Sequence, residues 1–401
     1  MTIAPESRTS PWQGLPPAVW ILVAARAVNR LGAFTLPFLG VVLTVELGAT
    51  LAETGLILSL FGLATIPSRI FGGHLADRLG RRSTIVLGLT GCALAQTWIA
   101  LSNSLWSAVL AVTLLGLVFE IYEPPSQATI ADVTQPADRP AAYGLLGSAM
   151  AAAAVVAGLL AAALSHWNLR WLFAIDAITC LACATLIAFA LPSDTRASGN
   201  EVPTTQTAAW RDRRLLILLL SGTVFAALYM QLILGLPLTL IERNLPTSSI
   251  GILLTVSALT LIAGQRLLHT NRLRGLNDFT CMTIGYVLLA IGLFANGQAH
   301  SLPVFLAATV IWSLGDLLLL GRYYTIVSAI APDHARGRYL AVFGISWGIA
   351  TTVGPMTVTQ LLDTTGPAGL WTTSALAAVV LAVLQPTIRR QLSRSRPKDV
   401  S

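Results

Sequence analysis

Twelve apolar stretches of about 20 residues or more recur along this chain, separated by short loops that carry Gly, Pro or charge. About 20 helical residues, rising 1.5 Å each, cover the roughly 30 Å of hydrocarbon in a bilayer, and a backbone crossing lipid has to satisfy its own hydrogen bonds. The pattern therefore predicts an all-α membrane protein of twelve transmembrane helices. The spans read as 17–45, 51–72, 83–101, 105–131, 141–164 and 171–191, then 214–241, 248–269, 279–296, 302–331, 338–362 and 367–386. Only 11% of the 401 residues are charged and mean hydropathy is +0.72, where a soluble domain carries about 25% charged residues.

The net charge of +7 would suggest nucleic acid in a soluble protein, but here the basic residues sit in the loops and report topology. With span-end residues counted in their loops, 20 of the 25 Lys and Arg fall in the termini and the even-numbered gaps; two, Arg170 and Arg243, fall in odd-numbered gaps and three in spans. By the positive-inside rule both termini are cytoplasmic, and the Arg and Ala bias points to the cytoplasmic (inner) membrane of a GC-rich bacterium. The N-terminus MTIAPESRTSPWQGLPP has no basic region followed by a short apolar core and cleavage site, so the first span is expected to stay as an anchor.

The longest polar stretch, 192–213, lies near the middle and divides the chain into two pseudo-symmetric six-helix bundles. The expected organisation is a cytoplasmic N-terminal tail over 1–16, a bundle over 17–191, the linker, a second bundle over 214–386 and a basic tail over 387–401. Gly116 to Gly144 can be laid on Gly315 to Phe343 at an offset of 199, which pairs Arg139 with Arg338 and Glu123 with Arg322. Such internal repeats are a transporter device, because one bundle can rock against the other around a central site.

Between spans 2 and 3 the chain reads Gly73-His-Leu-Ala-Asp77-Arg78-Leu-Gly80-Arg81-Arg82. This resembles the signature loop of the major facilitator superfamily. Arg26, Asn29-Arg30-Leu31-Gly32 and Pro37-Phe38 in span 1, with Glu123-Pro124-Pro125 and Ala131-Asp132 at the exit of span 4, are similar to its twelve-helix multidrug-efflux, drug:proton antiporter branch. Span 5 departs from that branch: it reads Ala157-Gly158-Leu-Leu-Ala161-Ala162 where a Gly-Pro is usual, and the Gly-Pro pair stands instead at Gly354-Pro355 in span 11. The resemblance implies that Asp77 docks on the N-terminal end of span 11 when the halves close on the cytoplasmic side, an end that offers unpaired N–H groups and positive partial charge. Arg78, Arg81 and Arg82 then pair with acidic groups or lipid phosphates, while Gly73 and Gly80 permit a tight turn.

An ionisable group at mid-bilayer costs at least about 2.5 to 3.5 kcal/mol, so each one there is a functional candidate. Seven are read in spans: Arg26, Arg30, Glu120, Glu123, Asp176, Asp316 and Arg322. Six of them lie in spans 1, 4 and 10, helices that the resemblance places along the central pathway. Matched depth predicts the pairs Arg26 with Glu123 and Arg30 with Glu120, either as static ion pairs or, because adjacent carboxylates repel, as a proton-coupling site. Asp316 is the other proton candidate, with a packing hydrogen bond as the alternative. Arg322 is a candidate partner for an anionic substrate group or for Glu123. Asp176, near the outer end of span 6, reads as an interfacial or packing residue.

Asn29, Phe34, Tyr122, Tyr229, Gln231, Tyr323 and Trp347 are candidates for a substrate cavity, with plain packing the alternative for each, and Trp20, Trp106, Trp167, Trp171 and Trp371 for the interfacial belt. Four cysteines in apolar stretches read as free thiols. No metal-ligand spacing, cofactor motif or phosphate-cradling loop is present, and no nucleophile, base and metal constellation suggests an enzyme. The expected partners are a small-molecule substrate, protons and membrane lipid, with no nucleic acid, and the chain is expected to be a monomer. The function so implied is export of small amphipathic molecules, drugs or metabolites, in exchange for protons by alternating access. A uniporter or proton-coupled importer is the alternative.

Overall fold

The structure, a computed structural model, describes residues 14–135, 138–192, 209–268, 275–332 and 336–394. Regular structure among them is helical throughout. Ten helical stretches match one crossing each: span 1 Pro17–Glu46, span 2 Leu51–Leu79, span 3 Arg81–Leu101, span 4 Leu105–Ile130, span 5 Ala141–Ser165, span 6 Arg170–Ala190, span 7 Arg213–Glu242, span 8 Ser248–Arg266, span 9 Asp278–Gln298 and span 10 Leu302–Ile330. The eleventh, Tyr339–Leu392, runs for 54 residues, about 80 Å at the helical rise and more than twice the hydrocarbon thickness. It breaks at Gly366, where φ 65 and ψ −176 leave the helical region, a conformation open to glycine. Pro367 follows and has no N–H to continue the ladder. Spans 11 and 12 meet at this break, giving twelve crossings in two six-helix halves.

Span 12 packs back into its own half. Trp371 is buried there and its Nε1 donates to Thr239 Oγ1 of span 7 at 3.0 Å, so it is a core residue rather than a member of the interfacial belt. Trp106 and Trp167, 80% and 79% exposed, do stand at the surface near helix ends.

The face carrying the end of span 6, the start of span 7 and the loop between spans 2 and 3 is the linker side; the opposite face is the far side. On the far side the halves touch through glycines. Gly62 of span 2 sits where an added methyl group would overlap the carbonyl of Thr351 in span 11, and at Gly55 the same group would come within 3.1 Å of Thr359 Cβ. Gly158 of span 5 and Gly251 of span 8 face one another in the same way, and a Cβ on Gly251 would lie 2.5 Å from the Gly158 carbonyl oxygen. Small residues let helix backbones approach this closely, which is how membrane helices gain dispersion contact where lipid supplies no hydrophobic drive. Thr247 Oγ1 donates to the carbonyl of Ser165 at 3.0 Å and closes the same seam.

Toward the linker side the same faces come apart. Eleven residues make almost three whole helical turns, so Gly73 lies on the face of Gly62, Gly147 on that of Gly158, and Gly348 on that of Thr359. Gly73, Gly147 and Gly348 each have nothing within 4 Å of where a Cβ would stand. The halves therefore form a V, closed on the far side and open on the linker side.

The signature loop is organised within its own half. Gly80, at φ 85, makes the turn between spans 2 and 3, whereas Gly73 lies inside the span 2 helix and takes no part in the turn. Arg81 pairs with Asp132 at the end of span 4, and Arg82 donates to the Ala188 carbonyl of span 6. Asp77 and Arg78 are exposed. The docking expected of Asp77 belongs to a linker-side-closed state, and this structure is open there; residues 333–335, which lead into span 11, lie outside the described residues.

Within the second half, Asp212 begins span 7 by accepting from Arg214 N at 2.9 Å and from Tyr339 OH of span 11 at 2.9 Å. Burial works against its charge, but the hydrogen bonds from Arg214 and Tyr339 prevail and hold the carboxyl below its ordinary value. A depressed carboxylate stabilises the fold above its unfolded value near pH 4 and loses that contribution as pH falls through the folded value. Acid-range unfolding in detergent is thus expected to begin at higher pH for Tyr339→Phe, which removes one donor to Asp212, than for wild type. A second expectation concerns the seam: Gly55→Cys with Thr359→Cys has a Cβ separation close to disulfide range, so mild oxidation should cross-link spans 2 and 11 and stop flux. Absence of the cross-link on a denaturing gel would place these helices apart on the far side.

Candidate functional site

Span 4 is not one helix. Pro124 and Pro125 have no N–H for the carbonyls of Glu120 and Ile121, and the helix Leu105–Phe119 ends there, to restart as Glu123–Val133. The interruption puts Glu120, Tyr122 and Glu123 at irregular backbone within the membrane, an arrangement tolerated only where protein or water meets the freed groups. The tandem prolines carried this information in the sequence, but the expected span 4 was continuous.

At this break the expected ion pair between Arg26 and Glu123 forms, with Nη2 to Oε2 at 2.6 Å. The Arg26 guanidinium also lies 5.2 Å from the centre of the Tyr122 ring, a cation–π contact. Gln127 Nε2 donates to Glu123 Oε1 at 2.9 Å, Tyr122 OH to Asn29 Oδ1 at 3.3 Å, and Asn29 Nδ2 to Cys180 Sγ at 3.3 Å. Arg26 Nη1 is buried with no hydrogen-bond partner among the described residues. Spans 1, 4 and 6 thus meet in one polar chain that holds the Arg26 side chain on the broken turn.

The second expected pair does not form. Glu120 faces Arg69 of span 2, Oε2 to Nε at 3.9 Å, and its backbone N–H donates to Ser68 Oγ at 3.0 Å. Arg30 is exposed, has no ion pair among the described residues and lies in electrostatic reach of Tyr229 across the gap. The reason is rotation: the break at Glu120 turns that side chain from span 1 toward span 2. Counting Arg69 with the loop beyond span 2 hid it as a partner.

In the second half Asp316 stands at the midpoint of the 29-residue helix Leu302–Ile330. It is buried, and its Oδ1 has no hydrogen-bond partner among the described residues. Tyr229 feels both Asp316 on its own side and Arg30 opposite. Trp347 stacks edge-on against Tyr229 at 5.3 Å and against Phe225 at 6.4 Å. Tyr229 and Trp347, both half-buried, form an aromatic pair, of which Tyr229 is within electrostatic reach of Arg30.

Four expected positions fall elsewhere. Tyr323 is buried, with its hydroxyl 2.6 Å from that of Tyr286 and its ring stacked on Phe225 and Phe343. Gln231 is buried and accepts from Ser374 of span 12, because a π-type turn over Gln231–Gly235 rotates it inward. Phe34 is packed into the core at the break between the two parts of span 1. Arg322 lies 4.0 Å from Asp278 of span 9 and so points neither at Glu123 nor into the gap.

Of the two alternatives for Asp176, interfacial or packing, the structure has the second: it is buried, Thr35 Oγ1 donates to its Oδ2 at 2.7 Å and Gln96 Nε2 to the same oxygen at 2.6 Å. Charge and depth gave no sign of this, since Thr35 and Gln96 come from spans 1 and 3 and only tertiary packing brings them together.

A membrane-embedded chain of two six-helix halves, with charges at broken helices beside a one-sided gap, defines a transporter. Residues 22–274 match the Major Facilitator Superfamily, and the chain belongs to that family. It is 26% identical over 324 residues to the multidrug resistance protein MdtH of Cronobacter sakazakii, covering 79% of this chain and 80% of that one. It is 25% identical over 358 residues to a Na(+), Li(+), K(+)/H(+) antiporter of Planococcus maritimus, covering 80% and 84%. Among solved structures, the nucleoside transporter NupG superimposes with a TM-score of 0.80 at 16% identity, over 92% of this chain and 99% of that one. A peptide transporter of the POT type does so with 0.78 at 14% identity, over 96% of each. These last two likenesses are of fold.

Removing one partner of a desolvated ion pair leaves the other uncompensated, whereas removing both relieves it. Arg26→Met and Glu123→Gln are each expected to lower thermal stability in detergent, and the double variant to lose less than their sum. The coupling expected for side chains in contact is about 0.5 to 3 kcal/mol. Additive losses would mean that the 2.6 Å contact carries no coupling.

Proposed function

We propose that this protein exports small amphipathic molecules in exchange for protons, working as a monomer in the inner membrane of a bacterium with its linker side in the cytoplasm. The observation that carries the reading is the set of carboxylates around the linker-side gap: Glu123 on Arg26, Glu120 beside Arg69, and Asp316 with an unpartnered oxygen at mid-membrane. Exchange needs a group whose charged and neutral forms favour different arrangements. Glu123 is such a group, because protonation releases Arg26 from the ion pair it makes among the described residues. Tyr229 and Trp347 give an apolar surface opposite the exposed Arg30, which suits a molecule with both a ring system and polarity. The signature-loop arginines and the basic linker-side loops support the orientation.

The multidrug resistance proteins and the cation/proton antiporter among the relatives support both export and proton exchange. The cation/proton antiporter also favours a second reading, exchange of monovalent cations for protons through the same carboxylates.

The test is proton movement in proteoliposomes with a pH-sensitive dye, using lipophilic cations, anions and antibiotics, and separately Na⁺ and K⁺. Drug-driven proton release lost in Glu120→Gln/Glu123→Gln is the expected result, with Asp316→Asn as the third arm. Release driven only by Na⁺ or K⁺ would establish the second reading. Equilibration of labelled compound with no proton movement would overturn exchange and leave a facilitator.

A further inference from the structure

Span 1 is interrupted at residues 32–34, between Pro17–Leu31 and Thr35–Val41. The interruption rests on span 6: a Cβ on Gly32 would lie 2.8 Å from the Asp176 Cα. Thr35, the first residue of the outer segment, donates to Asp176 at 2.7 Å, and at the outer rim Glu46 pairs with Arg170 at 2.7 Å. Span 6 therefore holds the outer segment of span 1 at both ends. That segment is part of the far-side closure, since Gly40 lies against Leu238 of span 7.

The carboxylate at the inner end of this attachment has no cationic partner among the described residues. The groups that face it are Thr35 from span 1, Gln96 and the Cys92 thiol from span 3, and Cys180 and Cys183 from its own helix. Glu120 of span 4 reaches the same Cys92 thiol from the linker side. Of the flanking arginines on these helices, Arg26 and Arg170 are engaged by Glu123 and Glu46, and Arg30 is exposed and within electrostatic reach of Tyr229 across the gap. A carboxylate 4% exposed, hydrogen-bonded by neutral donors only, is costly in its charged form and responds strongly to proton binding. Its partner atoms stand at hydrogen-bond distances, 2.6 and 2.7 Å, which leave no space for a metal ion between them.

We propose that Asp176 is a further proton-binding site and that it governs the far-side closure: proton uptake there weakens the hold of span 6 on the outer segment of span 1. Oδ2 already accepts from Thr35 and Gln96, so the proton from bulk water bonds to Oδ1, where Cys180 Sγ stands at a loose 3.7 Å. The charge is lost, and the hydrogen bond from Thr35 falls from charge-assisted to neutral, roughly half the strength. Acidification then favours separation of the far-side ends. This role rests on the alternating-access part of the reading above but not on Glu120, Glu123 or Asp316 as the coupling groups.

The experiment measures the distance between spin labels on Trp167→Cys and Ser301→Cys, exposed at the far-side ends of the two halves. The full chain is held in nanodiscs, without substrate or gradient, from about pH 5 to about pH 9, a range that spans shifted carboxyl values. The expected result is a longer separation at acidic pH, with this component absent in Asp176→Asn. Thr35→Val keeps the carboxyl but removes a donor to its charged form, so its midpoint should move about one unit to higher pH. Thr35→Val also serves if Asp176→Asn does not fold. Infrared difference spectra across the same range should show a carboxylic-acid C=O band that Asp176→Asn lacks. A pH response unchanged in Asp176→Asn, a Thr35→Val midpoint that stays in place, or a shorter separation on acidification would overturn the proposal. Because no flux is measured, these outcomes are separate from failure of proton-coupled export.

Discussion

A backbone inside hydrocarbon has to close its own hydrogen bonds, and almost everything informative in this protein sits where it does not. Most spans are unbroken helices. The exceptions are the outer part of span 1, the middle of span 4, the π-type turn of span 7 and the junction of spans 11 and 12. Each has a proline within three residues, and each needs substitute partners or a place beside water. The first two breaks coincide with Asp176 and with the Arg26–Glu123 pair. Polar side chains at these levels can meet backbone groups there, as Ser68 Oγ does for the Glu120 N–H.

Low dielectric then sorts the charges. Arg26 and Glu123 offset one another, and so do Glu46 and Arg170 at the rim. Among the described residues Asp316 and Asp176 have no ion-pair partner, so for these two the proton is the available counter-charge. Arg30 remains exposed between the halves, where an ionised side chain persists only beside water or a ligand. The arrangement separates charges paired within the first half from carboxylates that have no ionic partner among the described residues.

Glycine decides how the two halves meet. On the far side Gly55, Gly62, Gly158 and Gly251 allow backbone-to-backbone approach, and three turns away the same helix faces carry further glycines with open space in front of them. A pair of surfaces equally smooth at both ends can be closed at one end or the other without repacking a core, which is the mechanical requirement for alternating access. Ordinary side chains at either set would fix the V in one state.

Much of this was legible in the residues themselves. Span count, the two halves and the Arg26–Glu123 pair follow from hydropathy, internal repetition and matched depth, all properties measured along a helix axis, while the signature loop is identified by its resemblance to a family motif. What escaped was rotation about the axis and packing between helices. The break at Pro124-Pro125 turned Glu120 toward Arg69, the π-type turn carried Gln231 into the core, and Trp371 left the interface for Thr239. Asp176 acquired its meaning from Thr35 and Gln96, 141 and 80 residues away in sequence. One-dimensional periodicity sets how deep a residue lies in the membrane; only the tertiary structure sets which way it faces and what it meets, because a few degrees of helix rotation or one extra residue in a turn moves a side chain from one neighbour to another.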